Sequence, residues 1–240
     1  MRIVALALIL GVVSTANAVV IPNYTAGVEG DGTFSLTTTG ATGRTYQMTI
    51  AANQLTGLLN NNLNAIAFRL NGPGTANWPP VDANFADWEI RIGPGVAPSA
   101  ISNTFADNFS GAATLVRDGA LTFAAGAFTF GGTPNVFGPA LSFNTSTYLY
   151  TGGDLTIEMR FSQQTGATTQ SPLDGVLASG GPANGYGVDF AARFSGGSTA
   201  VTGVTGNALV ADLRGDPVPE PATMLALGAG LLALARRRRK

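Results

Sequence analysis

Several short runs in the middle of the sequence alternate apolar and polar side chains one residue at a time. A β-strand sends successive side chains to opposite faces of its sheet, so this alternation predicts strands with one buried face. No run inside 19–217 sustains the spacing of a long helix, and only a short helical turn is expected, near 52–59. The clearest runs are TYQMTI at 45–50, AIAFRL at 65–70, DWEIRI at 87–92 and LTIEMRF at 155–161, with further runs at 112–117, 121–129, 187–194 and 207–213.

Clusters of turn-forming residues separate these runs. Gly, Pro and Asn recur in NGPG at 71–74, GPG at 93–95 and SGGPANG at 179–185, where they allow tight reversals of the chain. Many short strands joined by turns are typical of an all-β fold, and we predict an antiparallel, jelly-roll-like β-sandwich over 19–217. The stretch 163–184 is interpreted as a long surface loop of this single domain.

The first 18 residues have the features of a secretory signal peptide. A basic residue, Arg2, precedes an apolar stretch at 3–13, and small residues follow that stretch. Ala16 and Ala18 form an A-x-A cleavage site, so the exported chain is expected to begin at Val19.

The segment 218–240 contains three parts in order: a proline-bracketed glutamate, an uncharged and mostly apolar stretch at 222–235, and a basic cluster. As a helix, the apolar stretch would reach about 21 Å against a hydrocarbon core of roughly 30 Å, which predicts a single short transmembrane helix. Clustered basic residues stay on the cytoplasmic side, which leaves the domain outside. The first part is Val218, Pro219, Glu220 and Pro221, and the basic cluster is Arg236, Arg237, Arg238, Arg239 and Lys240.

These three parts together resemble the PEP-CTERM sorting signal of Gram-negative bacteria. The resemblance implies that an exosortase recognises the tail, which holds the chain transiently at the inner membrane until it is cut near the Pro-Glu-Pro motif. It also implies delivery to the cell surface or the extracellular matrix, among proteins that accompany exopolysaccharide and biofilm production.

The charge of the predicted ectodomain argues against some partners. Arg2, the five basic tail residues and Glu220 lie outside 19–217, which therefore keeps 7 of the 13 basic and 13 of the 14 acidic residues and has a net charge of −6. Nucleic-acid-binding domains carry clustered positive charge, so no nucleic acid is expected as a partner. The sequence has no Cys, so no disulfide framework is expected.

The chemistry open to this chain is limited because it contains neither His nor Cys. It therefore lacks the usual general base of serine hydrolases, thiol nucleophiles and typical zinc or copper ligands. Carboxylates remain, and Glu89 and Glu158 take matching places in the strands WEIRI and IEMRF. Two facing glutamates could cleave a glycosidic bond. Each glutamate also lies two residues from an arginine, Arg91 or Arg160, as in cross-strand ion pairs on a solvated sheet, so we interpret both as structural.

Glu29 and Asp31 are weak candidates for calcium binding, because the glycines of VEGDGT would let carboxylate and carbonyl oxygens converge. The spacing matches no EF-hand loop, so a plain turn is the competing interpretation, and no other cofactor is expected. Two tryptophans could stack on sugar rings. Trp88 alternates with apolar residues and is assigned to the core, whereas Trp78 in NWPP is the better candidate for exposure, with packing under a loop as the default.

The sequence therefore predicts a non-enzymatic surface or matrix protein with a structural or adhesive role, exported and then sorted by exosortase. The alternative is a carbohydrate-binding module or a glycan-cleaving β-sandwich. Exposed aromatic residues and paired carboxylates on a concave sheet face would favour this alternative. A smooth face rich in Thr and Ser would favour the structural role.

Overall fold

The computed structural model describes residues 16–35 and 42–218. Within them the chain consists of strands, loops and short 3-10 helices, which confirms the all-β prediction. No helix in this part of the chain combines the length and the apolar composition needed to cross a bilayer. Several predicted features lie outside the described residues: the signal peptide up to residue 15, Pro219, Glu220 and Pro221 of the sorting motif, the apolar stretch 222–235 and the basic cluster 236–240.

The strands are short and follow one another along the whole described chain. They are β1 (Asn17–Ile21), β2 (Gly32–Phe34), β3 (Arg44–Ile50), β4 (Asn61–Phe68), β5 (Ala83–Phe85), β6 (Trp88–Pro94), β7 (Thr114–Arg117), β8 (Leu121–Phe123), β9 (Leu141–Ser142), β10 (Tyr148–Tyr150), β11 (Leu155–Phe161), β12 (Gln164–Gly166), β13 (Leu173–Val176), β14 (Phe190–Gly196), β15 (Val204–Gly206), β16 (Ala208–Leu209) and β17 (Ala211–Pro217). The 3-10 helices are Asn23–Ala26, Ala52–Leu58, Pro98–Ala100, Phe105–Asn108 and Ala178–Asn184. The second of these helices confirms the helical turn expected near 52–59.

A six-stranded antiparallel sheet has the order β15-β14-β3-β11-β6-β7. In its middle, Met159 of β11 lies opposite Tyr46 of β3 on one side and Ile90 of β6 on the other. All three side chains are buried in the core. The intervening residues point to the other face, because side chains alternate along a strand. The sheet therefore has one apolar and one polar face, as the alternating pattern predicted.

A five-stranded antiparallel sheet has the order β1-β17-β4-β10, and β9 also pairs with β4. Its Ile66 and Leu213 belong to the same buried cluster as Ile90 and Ile157 of the six-stranded sheet. The two large sheets therefore share one core, as the sheets of a β-sandwich do. The jelly-roll connectivity stays a prediction.

Two three-stranded sheets have the orders β12-β5-β8 and β16-β13-β2. Both β12 and β13 fall within 163–184, so the interpretation of this stretch as a long surface loop is wrong. All four residues of β13 are buried, including Leu173 and Asp174. A strand buried on both faces shows no alternation of apolar and polar residues, and for this reason the sequence pattern did not reveal it.

An aromatic cluster fills part of the core beside β5, β6 and β11. Trp88 stacks on Phe161 with 4.3 Å between ring centroids and 11° between ring planes, since the two residues lie directly opposite each other on neighbouring strands. Phe85 meets the ring of Trp88 edge-on at 4.7 Å. Such contacts contribute about 0.5–1.5 kcal/mol each beyond the burial of area. The assignment of Trp88 to the core is confirmed.

Candidate functional site

The two ends of the described chain leave the fold side by side. β1 pairs antiparallel with β17, so Asn17 lies opposite Gly215. Asn17 Nδ2 donates to Asn61 Oδ1 at 3.1 Å, and the backbone N–H of Val218 donates to the carbonyl of Asn60 at 3.1 Å. The start of β1 and the first residue of the sorting motif therefore lie at the same end of the five-stranded sheet.

Both predicted processing sites begin at the surface of the domain. Ala16, Ala18 and Val218 are exposed. β1 begins at Asn17, so cleavage after Ala18 would remove the first two residues of that strand. β17 ends at Pro217, so the sorting motif follows a paired strand without a linker.

The polar face of the six-stranded sheet carries the two candidate catalytic carboxylates, Glu89 on β6 and Glu158 on β11, since the adjacent residues of both strands point into the core. Each accepts a hydrogen bond from the arginine two residues further along. Arg160 Nε donates to Glu158 Oε1 at 2.7 Å, and Arg91 Nε donates to Glu89 Oε1. The predicted ion pairs form, but they run along each strand and not across the strands.

Glu158 does not lie on a solvated surface, contrary to the interpretation from sequence. Its side chain is 5% exposed, against 21% for Glu89. Gln47 Nε2 donates to Glu158 Oε2 at 3.0 Å and also to a backbone carbonyl of the helix Phe105–Asn108. Asn108 Nδ2 in turn donates to Gln47 Oε1 at 2.7 Å. The helix covers this part of the face, and it does so through contacts between residues distant in the sequence.

A cavity of about 380 Å³ opens over these carboxylates and is also lined by Asp87, Ser198 and Thr199. A glycosidase needs one carboxyl that stays protonated and acts as a general acid. Here both glutamates accept hydrogen bonds from the guanidinium groups of arginines on their own strands. The cavity therefore offers three carboxylates, two guanidinium groups and two hydroxyl groups, and each glutamate has an arginine partner.

The carboxylate oxygens of Glu29 and Asp31 accept hydrogen bonds from the backbone of other segments. Glu29 accepts the backbone N–H of Gly72 at 3.0 Å and that of Asn135 at 3.1 Å. Asp31 accepts the backbone N–H of Leu177 at 2.8 Å. Within 16–35 and 42–218, no three or more acidic side chains form a group that could hold a metal ion. These contacts agree with the competing interpretation of a plain turn, and calcium binding stays a prediction.

A cavity of about 450 Å³ lies beside these two carboxylates and is also lined by Tyr24 and Asp189. Burial raises the pKa of the Tyr24 hydroxyl, and the negative charges of Asp31 and Asp174 raise it further. Asp189 Oδ1 accepts a hydrogen bond from Asn53 Nδ2 at 2.7 Å. The cavity is therefore acidic, but its carboxylates already have partners within the protein.

A third cavity, of about 490 Å³, lies between the segments 71–80 and 169–172. Trp78 lines it but is only 4% exposed, so packing under a loop is confirmed and the suggested exposure is wrong. Its indole Nε1 donates to the carbonyl of Thr169 at 3.2 Å. The Trp78 ring packs against Phe123 and Phe128. Trp78 therefore forms part of the buried wall of this cavity.

No specific sequence pattern pointed to the amide side chains around this third cavity, those of Asn71, Asn77 and Gln170. The available signal was the presence of Asn and Gln in turn-rich stretches. That signal is not specific, because Asn is common in turns for backbone reasons alone. Only the approach of the two segments shows that these amides surround one cavity.

Comparison with known proteins identifies the C-terminal segment. Residues 217–240 match the family model described as the PEP-CTERM protein-sorting motif. No curated protein and no solved structure matches the chain. The sorting signal suspected from the sequence is therefore confirmed, and it indicates export, recognition by exosortase and a destination at the cell surface or outside the cell.

Proposed function

We propose that this chain, which carries a PEP-CTERM sorting motif, is a non-enzymatic surface or matrix protein with a structural or adhesive role among exopolysaccharide and biofilm. The observation that carries the proposal is that both candidate catalytic carboxylates are paired with arginine. Glu89 and Glu158 each accept a hydrogen bond from an arginine of their own strand. Carboxylates paired with arginine in this way suit a structural role better than the cleavage of a glycosidic bond.

The two ends of the described chain lie close together, which supports a domain that is attached to the membrane at one point. β1 begins and β17 ends at the same end of one sheet. In the proposed order of events, the segment 1–18 is removed on export, the tail 218–240 holds the chain transiently at the inner membrane, and exosortase cuts near the Pro-Glu-Pro motif. Surfaces remote from this end then remain available for contacts in the matrix. Neither calcium nor another cofactor is part of the proposal.

Replacing the basic cluster 236–240 by neutral residues tests the sorting step. We expect export to continue because the signal peptide drives it, and membrane retention and processing to fail because the basic cluster is the topological stop. Fractionation into membrane, periplasm and medium, with intact mass of each species, measures both. Arg91→Gln, which changes a half-exposed arginine of the ectodomain, is the control and should be processed normally. Unchanged processing of the tail variant would remove the basic cluster from the mechanism.

Sedimentation with exopolysaccharide tests the proposed destination. The processed protein, purified from the medium or the cell surface, is mixed with exopolysaccharide extracted from the producing cells. We expect the protein to sediment with the polymer at the ionic strength of the growth medium. Protein that stays entirely in the supernatant would contradict the association.

One observation favours the binding form of the alternative function, a carbohydrate-binding module. The cavity beside Trp78 combines amide side chains with apolar surface, which is the composition of many small-molecule sites. The glycan-cleaving form of the alternative has no such support, since it depends on the paired carboxylates described above.

A further inference from the structure

The cavity between the segments 71–80 and 169–172 has a neutral lining. We call it the amide groove, after Asn71, Asn77 and Gln170. Its lining residues include no Asp, Glu, Lys or Arg, whereas the two cavities described before it contain carboxylates. A site without charged groups exerts no net electrostatic attraction on an ion. The amide groove therefore favours a neutral ligand.

The three amides have hydrogen-bonding capacity to spare. In the described part of the chain, the side chains of Asn71 and Gln170 form no hydrogen bond, and both are at least partly exposed. Asn77 Oδ1 accepts the backbone N–H of Phe130 at 2.9 Å, which leaves Asn77 Nδ2 to donate elsewhere. A primary amide both donates and accepts. Such groups match the neighbouring hydroxyls of a sugar, each of which also donates and accepts.

The amide groove also has an apolar rim. Phe130 is 42% exposed, and a Cβ added at Gly74 would lie 3.9 Å from its ring atom Cδ2. The ring therefore stands beside the groove. Pro73 and Pro80 add further apolar surface to the lining. The C–H face of a pyranose ring can pack on such surface while its hydroxyls reach the amides.

We propose that the amide groove binds a neutral segment of an oligosaccharide, with Phe130 against a sugar ring and Asn71, Asn77 and Gln170 bonded to its hydroxyls. The cavity of about 490 Å³ falls in the range of small-molecule sites, roughly 300–1,000 Å³. Trp78 holds the floor and does not stack on the sugar. The inference rests on the proposed function and deepens it, because it names the surface and the class of glycan.

Calorimetric titration of the processed protein tests this site. The probes are neutral hexasaccharides of glucose, mannose and galactose, with a hexauronate of equal length. We expect at least one neutral hexasaccharide to bind and the hexauronate not to bind. Phe130→Ala should weaken binding about tenfold and Gln170→Ala about threefold or more, with unchanged melting temperature because both side chains are exposed. Tyr24→Ala removes an exposed aromatic ring outside the groove and should bind as the wild type does.

The outcomes separate a failure of the site from a failure of the function. Binding that survives both groove substitutions, or that Tyr24→Ala weakens equally, would overturn the amide groove. Preference for the hexauronate would overturn the neutral class of ligand. If no hexasaccharide binds but the protein still sediments with extracted exopolysaccharide, the groove is overturned and the proposed function stands. If neither occurs, both are overturned.

Discussion

Two kinds of arginine–carboxylate pair occur in the described residues, and they contribute differently to the fold. Three pairs join side chains two residues apart on one strand, as Glu89 and Arg91 do on β6. The fourth joins Arg69 and Asp174, which are 105 residues apart and whose side chains are 1% and 0% exposed. A pair along one strand links two residues that the backbone already holds close together. The buried pair fixes the relative position of distant segments.

The buried pair connects the beginning of the domain to β13. Arg69 Nε donates to Asp174 Oδ2 at 2.8 Å, and Arg69 Nη2 donates to the carbonyls of Thr25 and Val28. Asp174 Oδ1 accepts the backbone N–H of Gly30 at 3.0 Å. Burial raises the pKa of Asp174, and the hydrogen bond and the charge of Arg69 oppose that rise. Charges this deeply buried are tolerated only while their partners remain in place.

Asp174→Ala should have the largest effect on stability. It leaves the buried guanidinium of Arg69 without a counterion and the N–H of Gly30 without an acceptor. We therefore expect the free energy of unfolding to fall by about 3–5 kcal/mol, measured by urea denaturation followed by circular dichroism. Asp216→Ala changes an exposed aspartate and should alter the same quantity by no more than about 0.5 kcal/mol. Equal effects of the two substitutions would show that the buried pair has no special role.

Glu158→Gln should have an intermediate effect, larger than the slight shift expected of a solvated glutamate. Both carboxylate oxygens accept hydrogen bonds, from Arg160 and from Gln47, so the new NH2 group must face a donor. Gln47 cannot simply rotate its amide, because its Oε1 accepts from Asn108 and its Nε2 also donates to a backbone carbonyl. One group is left unsatisfied, which costs about 1–3 kcal/mol in the free energy of unfolding.

Thermal and urea denaturation of Glu158→Gln and Glu158→Asp would test this account. Glu158→Asp keeps the charge but shortens the reach to both partners. If the missing acceptor causes the loss, both variants should be destabilised. The loss in the free energy of unfolding should not depend on the salt concentration, since the site is buried. A wild-type melting temperature for Glu158→Gln would show that the network around Gln47 does not depend on the carboxylate.

Features confined to neighbouring residues could be predicted from the sequence. Alternation identified β3, β6 and β11, and it placed Trp88 in the core. The spacing of Glu158 and Arg160 placed both on one face, since residues two apart on a strand share a face, but it suggested a pair across strands and not the observed pair along β11. The sorting motif was recognisable for the same reason, because its parts are consecutive in the chain.

Features that depend on distant segments could not be predicted in this way. Asp174 lies in a four-residue strand without alternation, and its partner Arg69 is 105 residues away. The burial of Glu158 depends on the helix Phe105–Asn108, which no pattern in β11 reveals. The amide groove forms where the segments 71–80 and 169–172 meet, and either segment alone has the composition of an ordinary turn.

Glu89→Gln should have the smallest effect, and it tests the function as well as the fold. Glu89 is partly exposed and its partner Arg91 is half-exposed, so water screens their attraction and the pair contributes about 0–1 kcal/mol. The substitution should also leave any activity unchanged, because Glu89 Oε1 already accepts a hydrogen bond from Arg91 where a glycosidase would need a protonated acid or a free nucleophile. The measurement is turnover of a panel of bacterial exopolysaccharides by the wild type, Glu89→Gln and Glu158→Gln, with denaturation curves for each. Cleavage by the wild type that disappears in Glu89→Gln, while its stability is retained, would establish the glycan-cleaving alternative, since only a chemical role would then connect this exposed carboxylate to the loss.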